Sequence, residues 1–272
     1  MRIVRFAAGD EVSYGLVGTA RQGHTAGDEI IAELAGHPFG GRDSIRLTGT
    51  TYPVADVRLL APVLPSKVIG FGATGHADVG GPADGLDVGC VMYLKPSTAV
   101  CGPADAIRYP TDLTRQVEAE GELAVVIGRL CRQVLPSQAA AVIFGYTCAT
   151  DLTARDLAER DGQWARAKGF DTFCPLGPWI ETEAGADGLA LTTSVNGETQ
   201  QRGTTGQLFR GVPDLIAYAS NVMTLLPGDV LLTGAPVEDG GLPAARPLEP
   251  GDEVSVTIEG IGTLTNKVEK GD

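Results

Sequence analysis

At 272 residues, with 43% hydrophobic and 20% charged residues, the chain has the size and composition of a globular protein with a large core. A formal net charge of −13 excludes the basic stripe that displaces counterions from nucleic acid. No stretch reaches the roughly 18–20 apolar residues of a membrane span, and Met1-Arg2-Ile3-Val4-Arg5 is not followed by an apolar signal core, so a cytoplasmic protein without a membrane partner is expected.

The first part of the chain reads as strands and turns: MRIVRF, VSYGLVG, a loop holding His24, a short helix around Asp28 to Ala35, and IRLTG. Each proline in Ala61-Pro62-Val63-Leu64-Pro65 restricts itself and its predecessor to extended or turn geometry, which predicts a connector. The division is a small N-terminal β-rich domain over 1–62 and a larger domain over 63–272. A short strand follows at Lys67 to Phe71, then a glycine-rich segment from Gly72 to Gly89 and strands at VMYLK and ELAVVIG. Ser137 to Ile143 reads as a helix with serine at its start, and FGYTCATD as a strand ending in acid. Asp151 to Lys168 carries alternating charges and reads as a short helix and a loop. Asn196-Gly197 marks a hairpin turn, Pro213 to Ser220 a helix, and VLLTG and EVSVTIEGIGTLTNKV the closing strands. The whole is a mixed α/β, β-rich fold without internal repeats.

Cys90, Cys101, Cys131, Cys148 and Cys174 form no CxxC pair and are odd in number, which fits reduced, packed thiols better than a disulfide framework.

The segment VEAEGELAVVIG sets Glu118, Glu120 and Glu122 at strand spacing, so all three project to one face. Like charges on a shared face either meet bulk water or share a cation, and the apolar run that follows argues for a buried strand. Asp151, at the end of FGYTCATD, is the natural third ligand. Hard oxygen donors of this kind suit Mg²⁺ or Mn²⁺, with positions left open for water and substrate oxygens. On the residues alone the alternative stays open: an exposed edge strand with a solvated acidic face.

Five motifs, ELAVVIG, GYTCATDLTARD, QWARAKGFDTFCPLGPWI, TLLPGDVLLTGAP and IEGIGTLTN, occur in an order and spacing that resemble the fumarylacetoacetate hydrolase family, from about Pro65 to the C-terminus. The resemblance implies a β-roll catalytic domain, a divalent-metal site, a homodimer, and chemistry on 2-oxo or enol acids. Carried over, the metal carboxylates fall on Glu120, Glu122 and Asp151, leaving Glu118 a supporting or surface role. Lys168 falls at the active site, where a fixed positive charge meets developing negative charge. Arg155 matches an arginine that meets substrate. Its spacing from Asp151 suggests a shared helical face, and the competing reading is a pair with Asp156 or Glu159. Thr233 and Gly234 fall where relatives contact a substrate carboxylate.

The chain also departs from the family pattern. Relatives commonly carry a Gly-Asn-Tyr strand exit, then a histidine with a glutamate three residues on; here the segment reads Gly72-Ala73-Thr74-Gly75-His76-Ala77-Asp78-Val79-Gly80. Allowing a two-residue deletion places His76 as the water-activating base and Asp78 as its orienting group. Ala158 and Ala235 replace polar residues expected in the substrate pocket, which implies a changed substrate preference. His24 and His37 are expected to be structural or exposed. The leading expectation is a metal-dependent hydrolase of a carbon–carbon bond in an acylpyruvate-like 2-oxo acid. The runner-up is decarboxylation or keto–enol isomerisation, and a third reading is a non-catalytic metal-binding homologue.

Overall fold

The computed structural model describes residues 1–19, 29–40, 45–73, 90–236 and 246–271. The chain begins with an antiparallel meander, β1 (Arg2–Ala8), β2 (Glu11–Thr19), β3 (Glu29–Leu34) and β4 (Leu47–Pro53), with the short β5 (Arg58–Leu60) on the other edge of β1. The helix expected around Asp28 to Ala35 is therefore strand β3. Its Ile30-Ile31 pair favours extended backbone, and Ile31 is wholly buried beside Val4 and Phe6, which a strand satisfies by pairing on both sides.

The larger part adds β6 (Val68–Ala73), β7 (Cys90–Lys95), β8 (Val100–Cys101), β9 (Ile107–Tyr109), β10 (Val117–Ile127), β11 (Ile143–Ala154) and β12 (Cys174–Glu181). Then follow β13 (Ala190–Val195), β14 (Glu198–Thr204), β15 (Val230–Leu232), β16 (Glu253–Ile258) and β17 (Gly262–Lys270), with helices α1 (Arg155–Asp161), α2 (Ala165–Lys168) and α3 (Val212–Val222). Among the described residues, one sheet runs β4-β3-β2-β1-β12-β11-β10-β15-β6-β7, with β5 and β8 alongside, and a second runs β14-β13-β16-β17-β9. This is the β-rich fold with an N-terminal β unit that the sequence predicts.

β10 and β11 are the axis of the molecule. The alternation of β10 sends Leu123, Val125 and Ile127 into a core shared with Val256 and Leu264 of the second sheet and Leu215 and Ile216 of α3. Ala124 and Val126 go into a core with Ile3, Val68, Leu176 and Val230. A strand buried on both faces reads as a continuous apolar run, which is what LAVVI is. β15 pairs β10 only from Ala124 to Val126, so the glutamate segment keeps one open ladder edge, but a fully solvated acidic face falls because Glu122 is buried and Glu118 and Glu120 are half-buried.

Several local expectations need correction. Ser137 to Ile143 is not an α-helix: residues Pro136–Ala141 form a 3₁₀ turn, with the Leu135 N–H donating to Gln138 Oε1 at 3.3 Å, and Ile143 already belongs to β11. The start of β11 at Ile143 leaves a span too short for a longer helix. Asp151 does not end its strand, because the ladder with β10 continues to Ala154. The Asn196-Gly197 hairpin is as expected, with φ of 53° and 80° at the two turn residues. The cysteines described, Cys101, Cys131, Cys148 and Cys174, are free and buried, and burial pushes the Cys148 and Cys174 thiols up to about 12. No helix of the described residues is long and apolar enough to cross a membrane.

Candidate metal centre and substrate cleft

Register assembles the acidic group. β10 and β11 pair Glu118 with Thr153, Glu120 with Asp151 and Glu122 with Ala149, so Glu120, Glu122 and Asp151 share one face of the two central strands. Each offers a carboxylate oxygen within 4.8 Å of the others. Gly121, between the two glutamates, lets the strand lie against the second sheet. A Cβ there would stand 2.0 Å from Thr193 Oγ1. On the edge that β15 leaves uncovered, the Gln201 amide serves the Gly121 backbone: Gly121 N–H donates to Oε1 at 2.8 Å and Nε2 donates to the Gly121 carbonyl at 3.0 Å.

Two lysines and an arginine meet the carboxylates. Lys168, at the end of α2 and buried, donates to Asp151 Oδ2 and stands 3.6 Å from Glu120 Oε2. Burial alone would lower its pKa, but Asp151, Glu120 and Glu122 outweigh that and raise it, so the ammonium stays charged. Lys95 is wholly enclosed. Its Nζ donates to the carbonyls of Leu152 (3.0 Å), Lys168 (3.0 Å) and Phe173 (2.8 Å) and lies 2.7 Å from Asp151 Oδ1. Asp151 Oδ1 has this ammonium for charge compensation and no other partner among the described residues. Burial would raise the Asp151 pKa, yet Lys168 and Lys95 hold it at about 2.

Glu122 is the counterweight. Burial raises its pKa well above the usual carboxylate value, Asp151 and Glu120 push it further, and Lys168 and a 2.7 Å hydrogen bond from the Gly234 N–H oppose the shift only in part. The donor set fits a hard divalent cation on these observations. Three converging carboxylate oxygens, one of them on an acid whose pKa is raised first by burial and then by its like-charged neighbours, describe a site short of positive charge.

Arg155 begins α1, so the helical spacing expected with Asp151 does not apply, since Asp151 lies inside β11. Nor does it pair with Asp156 or Glu159. The chain turns back over the acidic face at Ala154, and the guanidinium reaches Glu118 (2.8 Å) and Glu120 (3.0 Å). Asp156 accepts instead from Thr114 Oγ1 and the Arg115 N–H. Thr233 turns inward, both its N–H and its hydroxyl bonding the Leu123 carbonyl at 3.1 and 3.0 Å, while Gly234 lends its amide to Glu122. These two residues thus shape the acidic group in this structure. Both also line the cleft above it.

A cleft of about 250 Å³ opens over the group, with Glu120, Glu122, Arg155 and Lys168 on its polar side and Phe71, Tyr93, Trp164 and Phe209 on its apolar side. Tyr93 and Trp164 pack with ring centroids 5.2 Å apart, and Lys168 Nζ lies 4.6 Å from the centre of the Tyr93 ring. Gly72 admits this wall, as a Cβ there would come within 2.7 Å of the Trp164 ring. The Tyr93 hydroxyl donates to Asp151 Oδ2, and its pKa is raised, first by burial and then by the carboxylates. Ala235 lines the cleft, as expected, but Ala158 does not: it packs against Leu157 and its neighbours in a separate core. His76, Asp78 and His24 lie outside the described residues, and His37 is exposed, edge-on to Tyr14.

Tyr93 and Lys95 went unrecognised in the sequence, where VMYLK reads only as a strand. The available signal was their separation of two, which puts a phenol and an ammonium on one face of an apolar strand.

A family model described as fumarylacetoacetate (FAA) hydrolase, C-terminal, matches residues 74–269, and one described as Rv2993c-like, N-terminal, matches residues 1–62. The chain is similar to a solved structure of 5-carboxymethyl-2-hydroxymuconate delta-isomerase from Mycobacterium smegmatis, with 46% identity, a TM-score of 0.85, and coverage of 99% of this chain and 100% of that one. It is also similar to oxaloacetate tautomerase YisK of Bacillus subtilis, 36% identical over 254 residues, covering 89% of this chain and 83% of that protein. A structure of maleylpyruvate hydrolase from Sphingobium sp. SYK-6, in complex with manganese (II) ion and pyruvate, matches at 28% identity and a TM-score of 0.75, covering 100% of both chains.

Proposed function

Because this chain belongs to the fumarylacetoacetate hydrolase family, an enzyme family, we propose that it is a divalent-metal-dependent enzyme of a 2-oxo acid whose reaction is keto–enol proton transfer. The observation that carries the reading is the buried Lys168 ammonium beside three converging carboxylates at the floor of the cleft. Glu120, Glu122 and Asp151 would hold Mg²⁺ or Mn²⁺, which when bound supplies Lewis-acid polarisation of a 2-oxo carboxylate.

The chain's own residues supply the rest. Lys168 keeps a fixed positive charge where the enol oxygen gains negative charge, and Lys95 and the Asp151 strand hold it in place without reorganisation. Arg155 offers a guanidinium to the substrate carboxylate. The aromatic wall of Tyr93, Trp164 and Phe71 limits water at the reacting carbon. A tautomerase and an isomerase, at 36% and 46% identity, stand nearer to this chain than two hydrolases at 32% and 28%, which supports proton transfer over bond cleavage. A cytoplasmic homodimer belongs to the same reading.

The second reading, hydrolysis of an acylpyruvate-like carbon–carbon bond, is favoured by the likeness to maleylpyruvate hydrolase. It requires a base for water, for which His76, oriented by Asp78, is the candidate. The two separate in one comparison with Mg²⁺ present and absent: decay of the enol absorbance of a 2-oxo dicarboxylate such as oxaloacetate, and release of pyruvate from an acylpyruvate. Metal-dependent enol decay without pyruvate release is the expected result. Pyruvate release abolished by His76→Ala would transfer the assignment to hydrolysis, and turnover of neither substrate despite metal binding would leave a non-catalytic metal-binding homologue.

A further inference from the structure

Arg155 is held on two of its three guanidinium nitrogens. Nε donates to Glu118 Oε2 at 2.8 Å and Nη2 to Glu120 Oε1 at 3.0 Å. Glu118 is itself fixed from behind, its Oε1 accepting from Gln116 Nε2 at 3.0 Å. Nη1 has no hydrogen bond to a described residue, and the side chain is about 30% exposed where it lines the cleft. We propose that Glu118 is a positioning residue for substrate: by holding Nε it turns Arg155 so that Nη1 faces the cleft as the donor for a substrate carboxylate.

The strand geometry explains why a second carboxylate is needed. Glu118 and Glu120 lie two residues apart on one face of β10, and Arg155 returns over that face from the end of β11, so one planar guanidinium spans both. With Glu118 absent, the natural arrangement is the fork in which one guanidinium edge engages both oxygens of a single carboxylate. That carboxylate is Glu120, whose Oε2 now stands 3.6 Å from Lys168. The fork would turn Nη1 from the cleft and claim an oxygen proposed for the cation. Glu118 thus divides the arginine between two acids and keeps both the donor and the oxygen available.

The inference rests on the 2-oxo acid reading, and oxalate, a small dicarboxylate resembling the enolate of such an acid, is the probe. At saturating Mg²⁺, calorimetry should give an oxalate Kd about tenfold weaker for Glu118→Ala, the loss of one charge-assisted hydrogen bond. Glu118→Gln, which keeps an acceptor for Nε, should recover part of it. With a turned-over 2-oxo acid the change should fall on KM rather than kcat, a split that a loss of general stability would not produce. The Arg155 Nε–H resonance should be protected from exchange in the wild type and lose protection in Glu118→Ala. Equal oxalate binding by wild type and Glu118→Ala overturns the positioning role alone. A wild type that binds Mg²⁺ but no oxalate overturns both this role and the proposed function.

Discussion

Glu120 and Asp151 are direct partners across the β10–β11 ladder. Their separation is set by backbone pairing of two adjacent strands and not by a loop, so the acidic group keeps its shape without a ligand. A cation that binds there stabilises the native state by mass action, about 2.7 kcal/mol at a concentration one hundred times Kd, or roughly 5–10 °C in Tm for a chain of this size. The wild type should show that shift with Mg²⁺ or Mn²⁺ in a thermal melt. Asp151→Asn and Glu120→Gln should not, and a full shift in either would remove that residue from the metal set.

Lys168→Met keeps the length of the side chain and removes its charge. If the ammonium stabilises the enol oxygen, kcat should fall by about 10²–10³, the scale of losing one preorganised electrostatic donor. The metal-induced Tm shift should persist, because all three carboxylates remain. Unchanged turnover would remove Lys168 from the chemistry.

Gly121→Ala tests the contact between the sheets at the site. Its Cβ would stand 2.0 Å from Thr193 Oγ1 and 3.1 Å from Val256, both on the second sheet. Neither neighbour has room to withdraw, so urea unfolding should show a loss of about 1–3 kcal/mol. The neighbouring carboxylates would be displaced with the strand, and metal affinity should fall alongside stability.

Asp252 gives the pH dependence of the fold away from the site. Burial would raise its pKa, but the Glu249 N–H, the Asn196 side-chain amide and Arg246 hold it below the ordinary 3.8. A carboxylate with a depressed folded pKa contributes stability fully above its unfolded value, and that contribution is lost as pH falls through the folded value. Asp252→Asn should therefore cost about 1.5–3 kcal/mol at pH 7, with the deficit shrinking in urea titrations below pH 4. A deficit constant down to pH 2 would show that ionisation of Asp252 is not its source.

Much of the centre was legible because it is made of local patterns. Glutamates at spacing two, the apolar run after them and the lysine of AKGFDTF carry their geometry in the sequence, and register needs only the pairing of two neighbouring strands. Lys95 was hidden because its importance comes from three carbonyls in Leu152, Lys168 and Phe173, which only the folded chain brings together. The partners of Arg155 were hidden for a related reason: the competing candidates Asp156 and Glu159 are near in sequence, but the reversal at the end of β11 brings Glu118 and Glu120 nearer in space. Strand β3 was mistaken for a helix because six residues with two glutamates suit either period. Pairing to β2 and β4 decided between them.

The junction of β1 with β12 has a consequence for solubility. Only Arg2 and Ile3 pair there, opposite Glu181 and Ile180, with Thr182 N–H donating to the Met1 carbonyl at 3.0 Å. Those few bonds occupy the rim of β12 that would otherwise offer unsatisfied amides and carbonyls to any passing strand. The N-terminal meander thus acts as a seal on the larger sheet and carries the open margin outward to β4, where Leu47 to Thr51 are all exposed. A chain begun at Pro65 would keep every carboxylate of the metal centre and lose that seal, so its expected failure is self-association through an unprotected strand.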